Sequence, residues 1–450
     1  WREDTPLGHA EWTHSVVVHA VSEQPIGPYK VVQTVGSGHN PEVFRLKNGS
    51  YVVYVIDGYY SSRSINGPWE YDKLQFDNRD RPIIEGLSNL TFAQREDGSY
   101  LMVCRGGGIW VSEDGTATYE QVSDKSVYPH VEGAFEDPVI WRDNIQYHMI
   151  VNDWLGRVAY YLRSKDGFQW KTDPGEAYVP GITNYEDGTR EDWFKYERIK
   201  ILQDNLGRAI QANFAVIDTL KKEDKTRDRH SSKNIGIPLV VGRQIELLDN
   251  KEITESTKSI SVKIMAEEGF DPHKDINVNS LRFGAPEEVN FGRGSQIKKI
   301  KKEGTNLILT FQGSGNGFTD SNFVGKLLGK TNDGKLLFGY SRLPWVDFYE
   351  PVLSARIPKI TEDGRLKVEI NNYGLVSSNS SKIRIEIMEN KSWREIASGE
   401  IPKIDSFQNI VIDLHCNEKN NVKLEKEFRI TMYGNNQNPV ILIRKWPSQE

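Results

Sequence analysis

Lys47-Asn48-Gly49-Ser50-Tyr51-Val52-Val53-Tyr54-Val55 is a phrase the chain uses more than once. It returns as Glu96-Asp97-Gly98-Ser99-Tyr100-Leu101-Met102-Val103. It returns, loosened, as Arg142-Asp143-Asn144-Ile145-Gln146-Tyr147 before His148-Met149-Ile150-Val151, and as Gln203-Asp204-Asn205-Leu206-Gly207 before Ala209-Ile210-Gln211-Ala212. Each copy reads as a strand, a tight Asn/Asp-Gly type turn and a second strand, which is a hairpin signal. A second phrase interleaves with the first. Ser22 leads to Gly27-Pro28-Tyr29, and Ser62 leads at the same spacing to Gly67-Pro68-Trp69. Ser112-Glu113-Asp114-Gly115 and Ser164-Lys165-Asp166-Gly167 are its shorter form. Both phrases share a period of roughly 50 residues, in the range of four-stranded β-propeller blades.

Working outward, the chain is expected to be all-β. Residues 1–250 read as a five-bladed propeller. Four blades are complete, and the fifth is assembled from Trp12 to Val21 and from Ile235 to Leu248, so that the ring has no free edge. The segment before Ser22 has no hairpin phrase of its own, so the first blade reads as incomplete. After Leu248 the repeat stops, and Asp249 to Lys258 reads as a linker. Short alternating strands follow, among them Ser259 to Met265, Leu307 to Phe311, Leu366 to Ile370, Ile383 to Met388 and Phe428 to Met432. They predict a β-sandwich module over 251–351 and a second, Ig-like one over 352–450, splitting near Pro351. One larger sandwich is the alternative.

Composition narrows the function. Charge is mixed, with a formal net of −6 and no long basic run, which argues against duplex nucleic acid as partner. No stretch of about 18 apolar residues is present to span a membrane. The two cysteines, Cys104 and Cys416, exclude a disulfide framework and a cysteine zinc site. So low a content fits the cytosol and equally a bacterial export compartment. The residues from Trp1 onward do not read as a signal peptide. Abundant Trp and Tyr suit sugar stacking and suit a β-rich core just as well.

In a propeller the innermost strands converge on one axis, so the residues that open them can share one pocket. Those openings are His39-Asn40-Pro41, Ser88-Asn89-Leu90, Glu136-Asp137-Pro138 and Glu197-Arg198-Ile199. Asp-Pro and Asn-Pro also serve simply to end a turn and start a strand. Glu136 and Glu197 have less structural reason to be there, because Glu is depleted from strands. Glycoside hydrolysis needs two carboxyl groups across one bond. Glu136 is therefore the first candidate for general acid, with Asp137 or Glu197 as base or as a group that tunes the acid. Candidate substrate-binding residues are His39, Asn40, His130, Trp154, Arg198, Arg229 and His230. Trp193 and Phe194 are further stacking candidates beside Trp154. The basic stretch holding Arg229 and His230 reads as a solvated loop or as a grip on sulfate or carboxylate.

At these residues the chain resembles the five-bladed propeller glycoside hydrolases, the group that includes the family 43 arabinofuranosidases and xylosidases and the family 117 anhydrogalactosidases. The resemblance rests on His39-Asn40-Pro41 with its hairpin, on Glu136-Asp137-Pro138-Val139-Ile140-Trp141 running to Tyr147-His148, and on Glu197-Arg198 leading into Asp204-Asn205-Leu206-Gly207. It covers roughly the first 250 residues. It implies an Asp base, a second Asp that tunes the acid and a Glu acid, usually with inversion. Asp137 matches the blade-opening Asp-Pro, and Glu136 and Glu197 match a blade-opening Glu. The opening at His39 carries no acid, and the family's Asp base would fall in a hairpin before Trp1. Family 117-like members imply that a His can take an acid role, which keeps His39 and His130 in view. No cofactor is required, although such propellers often hold a structural metal ion on the axis.

Blade-top loops such as Pro174 to Asp192 read as long, and a five-bladed ring has a narrow centre, so a pocket that accepts chain ends is expected, and with it an exo-acting glycoside hydrolase on plant or algal oligosaccharides, sulfated or anhydro-sugars included. The expected location is secreted or periplasmic, as a monomer or small homo-oligomer. A non-catalytic carbohydrate-binding propeller and a polysaccharide lyase are the competing readings, and a non-sugar scaffold is the least favoured.

Overall fold

The computed structural model describes residues 14–155, 157–219, 232–254, 256–416, 427–433 and 439–446. The chain is all-β, and the one α-helix among the described residues is the four-residue Pro286–Val289. It divides into two compact units. The first comprises 1–74, 84–109 and 125–347, and the second 75–83, 110–124 and 348–450.

The first unit carries the repeats. Sheet I is Glu42–Arg45, Tyr51–Val55, Gly58–Ser62 and Glu70–Lys73 in that order. Thr91–Gln94 and Tyr100–Val103 form the hairpin of the second repeat, II. Sheet III is Phe135–Arg142, Tyr147–Asp153, Val158–Ser164 and Lys171–Thr172. Sheet IV is Lys195–Gln203, Ala209–Ile217 and Ser232–Pro238. The turns repeat atom for atom: Ser50, Ser99, Ile145 and Leu206 each donate a backbone N–H to the side-chain oxygen of Asn48, Asp97, Asp143 or Asp204, at 2.8–2.9 Å. Such Asx turns fix a hairpin with one short side chain. The second phrase behaves likewise, since the Ser112 and Ser164 hydroxyls accept from the N–H of Gly115 and Gly167.

Three expectations change here. Among the described residues the two chain ends do not share a sheet: Val16–Val21 pairs with Lys30–Ser37, and Ser232–Pro238 adds to sheet IV. The stretch Pro174 to Asp192, read as a long loop, contains the hairpin Gly181–Asn184 and Arg190–Trp193. Asp249 to Lys258 does not link modules, because Ile245–Leu247 before it pairs with Ser259–Ile264 after it.

Those two strands begin a seven-stranded sheet that continues through Asn306–Gln312, Ser295–Glu303, Ile276–Gly284, Val324–Thr331 and Leu336–Arg342. It is not two facing sheets. It curls until its edges meet, where Arg243 N–H reaches Phe338 O at 2.7 Å and Leu247 N–H reaches the Ser341 hydroxyl at 2.9 Å. Alternation drives the curl: in Ser259–Ile264 and Asn306–Gln312 every second residue is buried, and Ile260, Val262, Leu307, Leu309 and Phe311 fill the inside with Leu281 and Phe283.

The second unit has its own core. Leu353–Ala355, Arg365–Asn372, Lys359–Ile360 and Asn409–His415 form one sheet, and Ser392–Ile401, Ser381–Glu389, Glu427–Met432 and Val440–Lys445 another. Leu366, Val368, Ile383, Ile385, Phe428 and Ile430 of both sheets share one cluster. The short stretches 75–83 and 110–124 are tied in by charge. Arg79, fully buried, meets Glu120 at 3.4 Å, Glu369 at 3.2 Å and the Ser354 carbonyl at 3.1 Å. Arg356 pairs with Asp77, and Tyr373 donates to Glu120 at 2.8 Å.

Candidate functional site

The strands that open the four repeats share one backbone device. Asn40, Asn89, Asp137 and Arg198 all have positive φ, at 54°, 48°, 49° and 52°. Each stands two residues before a ladder position, namely Glu42, Thr91, Val139 and Lys200, and in sheets III and IV the ladder bulges there. A left-handed non-glycine residue is uncommon, costs of order 1–3 kcal/mol, and clusters at functional sites. Four at equivalent positions constitute a repeated kink that turns the chain as it enters each sheet.

The kinks bring their side chains together. The Asn40 amide donates to Asn89 Oδ1 at 3.4 Å, Arg198 Nη1 donates to the same oxygen at 3.5 Å, and Arg198 Nη1 lies 3.3 Å from Asp137 Oδ1. One layer in, the strands are stitched to each other. The Phe92 N–H donates to Glu42 Oε2 at 2.8 Å, the Ile140 N–H donates to the Thr91 hydroxyl at 3.1 Å, and Lys200 pairs with Glu42. Glu42 and Lys200 were not singled out by sequence reading. Their signal was the constant offset of two residues from each opening.

The three candidate acids share this place but not one environment. Asp137 is 5% exposed, and its Oδ2 is buried with no hydrogen-bond partner. Burial pushes its carboxyl above the usual range, against the opposing Arg198 guanidinium and with the Glu197 charge adding to the rise. The Glu136 side chain keeps 19% of its surface and lies 3.7 Å from Arg105. Burial raises its carboxyl as well, and the Asp137 and Glu197 charges raise it further. Glu197 pairs with Lys195, whose ammonium stands 5.2 Å from the centre of the Trp154 ring. The Tyr178 phenol is pushed up by burial and then by Asp137 and Glu197. Each carboxylate of the cluster has one cation: Glu42 has Lys200, Glu136 has Arg105, Asp137 has Arg198 and Glu197 has Lys195.

The remaining candidates divide. His39 is half-buried, and burial together with Arg198 lowers its ring below the usual histidine value. Asn40, Arg198 and Trp154 belong to the cluster or its rim. His130 is exposed and forms no hydrogen bond or ion pair with the cluster. Trp193 is core rather than a stacking surface: it is 1% exposed, with its indole N–H on the Tyr185 hydroxyl at 3.0 Å. Phe194 is covered by the Arg157 guanidinium at 4.2 Å. Arg229 and His230 lie outside the described residues.

The space between the four kinked residues measures about 10 Å³, room for one water and not for a sugar ring. The expected deep pocket for a chain end is not formed there, and a larger ligand meets the cluster at its rim, where Glu136, Glu197, Trp154, His39 and Asn40 each keep part of their surface. A metal ion fits this donor set poorly. The guanidinium of Arg198 already lies on Asp137 and Asn89, and among the described residues no group of three or more His, Cys, Asp or Glu side chains could hold one. Nor is any described helix long and apolar enough to cross a membrane.

No family model and no curated protein matches this sequence. Solved structures similar to the chain include a glycoside hydrolase (12% identity, covering 95% of this chain and 92% of that one, TM-score 0.30). Another is an engineered family 43 glycoside hydrolase with endo-xylanase and exo-arabinofuranosidase activity (12% identity, 97% and 90% covered, TM-score 0.31). A third is a Bombyx mori family 32 β-fructofuranosidase (11% identity, 96% and 89% covered, TM-score 0.28). Likeness of this degree decides neither fold nor activity.

Proposed function

We propose that the first unit is a five-bladed-propeller type glycoside hydrolase whose acid/base pair is Glu136 and Glu197, acting on the end of an oligosaccharide of plant or algal origin with inversion. The observation that carries this reading is the convergence of four left-handed strand openings, which sets three carboxyl groups of two sheets in one charged cluster. In this reading the second unit is a β-sandwich that holds polysaccharide. The protein acts in an exported setting, as a monomer or small homo-oligomer, and needs no cofactor.

Glu136 is the general acid, because its carboxyl is raised and still reaches the surface. Glu197, paired with Lys195, is the base that takes a proton from water. Asp137 is too buried to touch substrate, and it acts through Glu136 as a positioning residue whose charge helps raise the acid's carboxyl. Trp154 offers a ring to a sugar face, and His39 with Asn40 binds hydroxyls.

A second reading has its own observation: every acid in the cluster is already matched by a cation, which suits a carbohydrate-binding site without turnover. A reducing-sugar assay on an array of plant and algal oligosaccharides separates the two. Release of terminal monosaccharide by the native protein, lost in Glu136→Gln, is the expected result. Calorimetric binding with no product after days of incubation overturns hydrolysis in favour of binding. An ultraviolet-absorbing unsaturated product overturns it in favour of a lyase.

A further inference from the structure

The last two strands of the seven-stranded sheet are apolar on both faces. Leu327 and Leu337 point into the closed core. Lys326, Leu328, Leu336, Phe338 and Tyr340 alternate with them and point the other way. A strand that faces only water carries polar residues on that side. This outer face instead walls a cleft of about 1120 Å³ within the first unit, whose other walls are sheets III and IV. The volume is a little above the usual range for small organic ligands, and the cleft is distinct from the charged cluster, with Ile199 bordering both.

Three features define what the cleft would accept. The first is an aromatic stack on sheet III, whose rings lie over one another and border the cleft with their edges. The Trp141 and His148 rings are parallel within 9° with centres 4.8 Å apart, and Tyr161 continues the run at 6.0 Å and 22°. The polar atoms of that stack satisfy one another, since His148 bonds the Tyr161 hydroxyl at 2.6 Å and Asp143 at 3.0 Å, so the stack makes few polar demands on a ligand. The second is an open apolar rim, with Val240 and Leu336 each 49% exposed. The third is charge. Arg208, which also lines the cleft, is held by Asp204 and Glu267. The Lys326 ammonium has only the Asn290 amide oxygen at 2.6 Å and the Tyr340 and Phe338 rings at 5.2 and 5.7 Å, with no carboxylate partner among the described residues.

We propose that this cleft is a second binding site and takes a planar aromatic carboxylate, with the ring lodged between the aromatic and aliphatic walls and the carboxylate on Lys326. The charge is what selects the ligand, because a purely apolar cleft would favour the alcohol, whose hydroxyl costs far less to desolvate than an unpaired carboxylate.

The test is calorimetric titration of the full chain with 2-naphthoate and, as the uncharged counterpart, 2-naphthalenemethanol. The expected result is saturable binding of naphthoate, weakened about tenfold by Lys326→Gln while the alcohol is unaffected, as for loss of one charge-assisted bond. Ile201→Trp, which narrows the cleft from sheet IV, weakens both ligands. Glu136→Gln leaves naphthoate binding unchanged, so the outcome is independent of the hydrolase reading. Equal effects of Lys326→Gln on acid and alcohol, no saturation by naphthoate, or loss of binding in Glu136→Gln would each overturn the proposal.

Discussion

Glu136 has two carboxylates and two guanidinium groups as electrostatic neighbours, and these set how it titrates. Its folded value lies above the ordinary 4.5, first through burial, then through Asp137 and Glu197, with Arg105 and Arg198 opposing. A carboxyl raised in this way favours the folded state when protonated. Stability is therefore lost as pH rises from 4.5 through the folded value, and at neutral pH the ionised group is a cost. Two effects of Glu136→Gln follow together. Turnover falls by at least about 100-fold, as for loss of a general acid, while the melting temperature at pH 7 rises. A variant that was merely misfolded would lower both. The same electrostatics fix the alkaline limb of the pH–rate profile. Arg105→Gln removes an opposing cation and moves that limb to higher pH, and Asp137→Asn removes a like charge and moves it to lower pH. Steady-state kinetics across pH, with scanning calorimetry on the same samples, read all of this.

At the scale of the element, the strand openings are governed by backbone more than by side chain. Asn89, at φ 48°, is a residue type that tolerates the left-handed region, and glycine tolerates it better. Asn89→Gly should therefore leave unfolding free energy within about 1 kcal/mol of the native value, whereas a β-branched Asn89→Val should cost about 2 kcal/mol or more. Urea denaturation measures both. Much at this scale was legible. The four turns declared themselves because each needs a short oxygen-bearing side chain and a residue free to take positive φ. The acids at the openings stood out because Glu136 and Glu197 interrupt apolar strands. The hairpin Gly181–Trp193 was hidden because its return strand begins Arg190-Glu191-Asp192, three charges with no apolar alternation. Strand Ser295–Glu303 was hidden for a similar reason: Lys298, Lys299, Lys301 and Lys302 leave only two isoleucines to mark a buried face. Lys200 carries the constant two-residue offset, but its partner Glu42 lies on another sheet, and no local pattern announces that pairing.

At the scale of the molecule, the division of the chain is not a division of the sequence. The second unit is assembled from three separated stretches, and buried charge holds them together. For Asp77 and Glu369, burial acts upward. Hydrogen bonds from Arg356, joined by Arg79, outweigh it and hold both carboxyls below their ordinary 3.8 and 4.5. Depressed acids stabilise the fold above their unfolded values, and that stabilisation is lost as pH falls through the folded ones. The second unit should accordingly weaken below pH 4.5, opposite in sign to the effect of Glu136. Arg79→Met, which removes the buried cation between Glu120 and Glu369 and leaves them only Tyr373 and Arg356, should cost about 3 kcal/mol at pH 7 and flatten that acid dependence. Calorimetric scans between pH 7 and pH 3 of the native protein and Arg79→Met test both statements.

The ring of left-handed residues has one more consequence. The same bend is written four times with three different letters: an amide twice, an acid once and a guanidinium once. Whatever fixes the bend is therefore not the chemistry of the group it presents. A scaffold of that sort separates the grammar of the fold from its vocabulary. The charge displayed at the centre can be rewritten one position at a time, and the chain around it has no reason to notice.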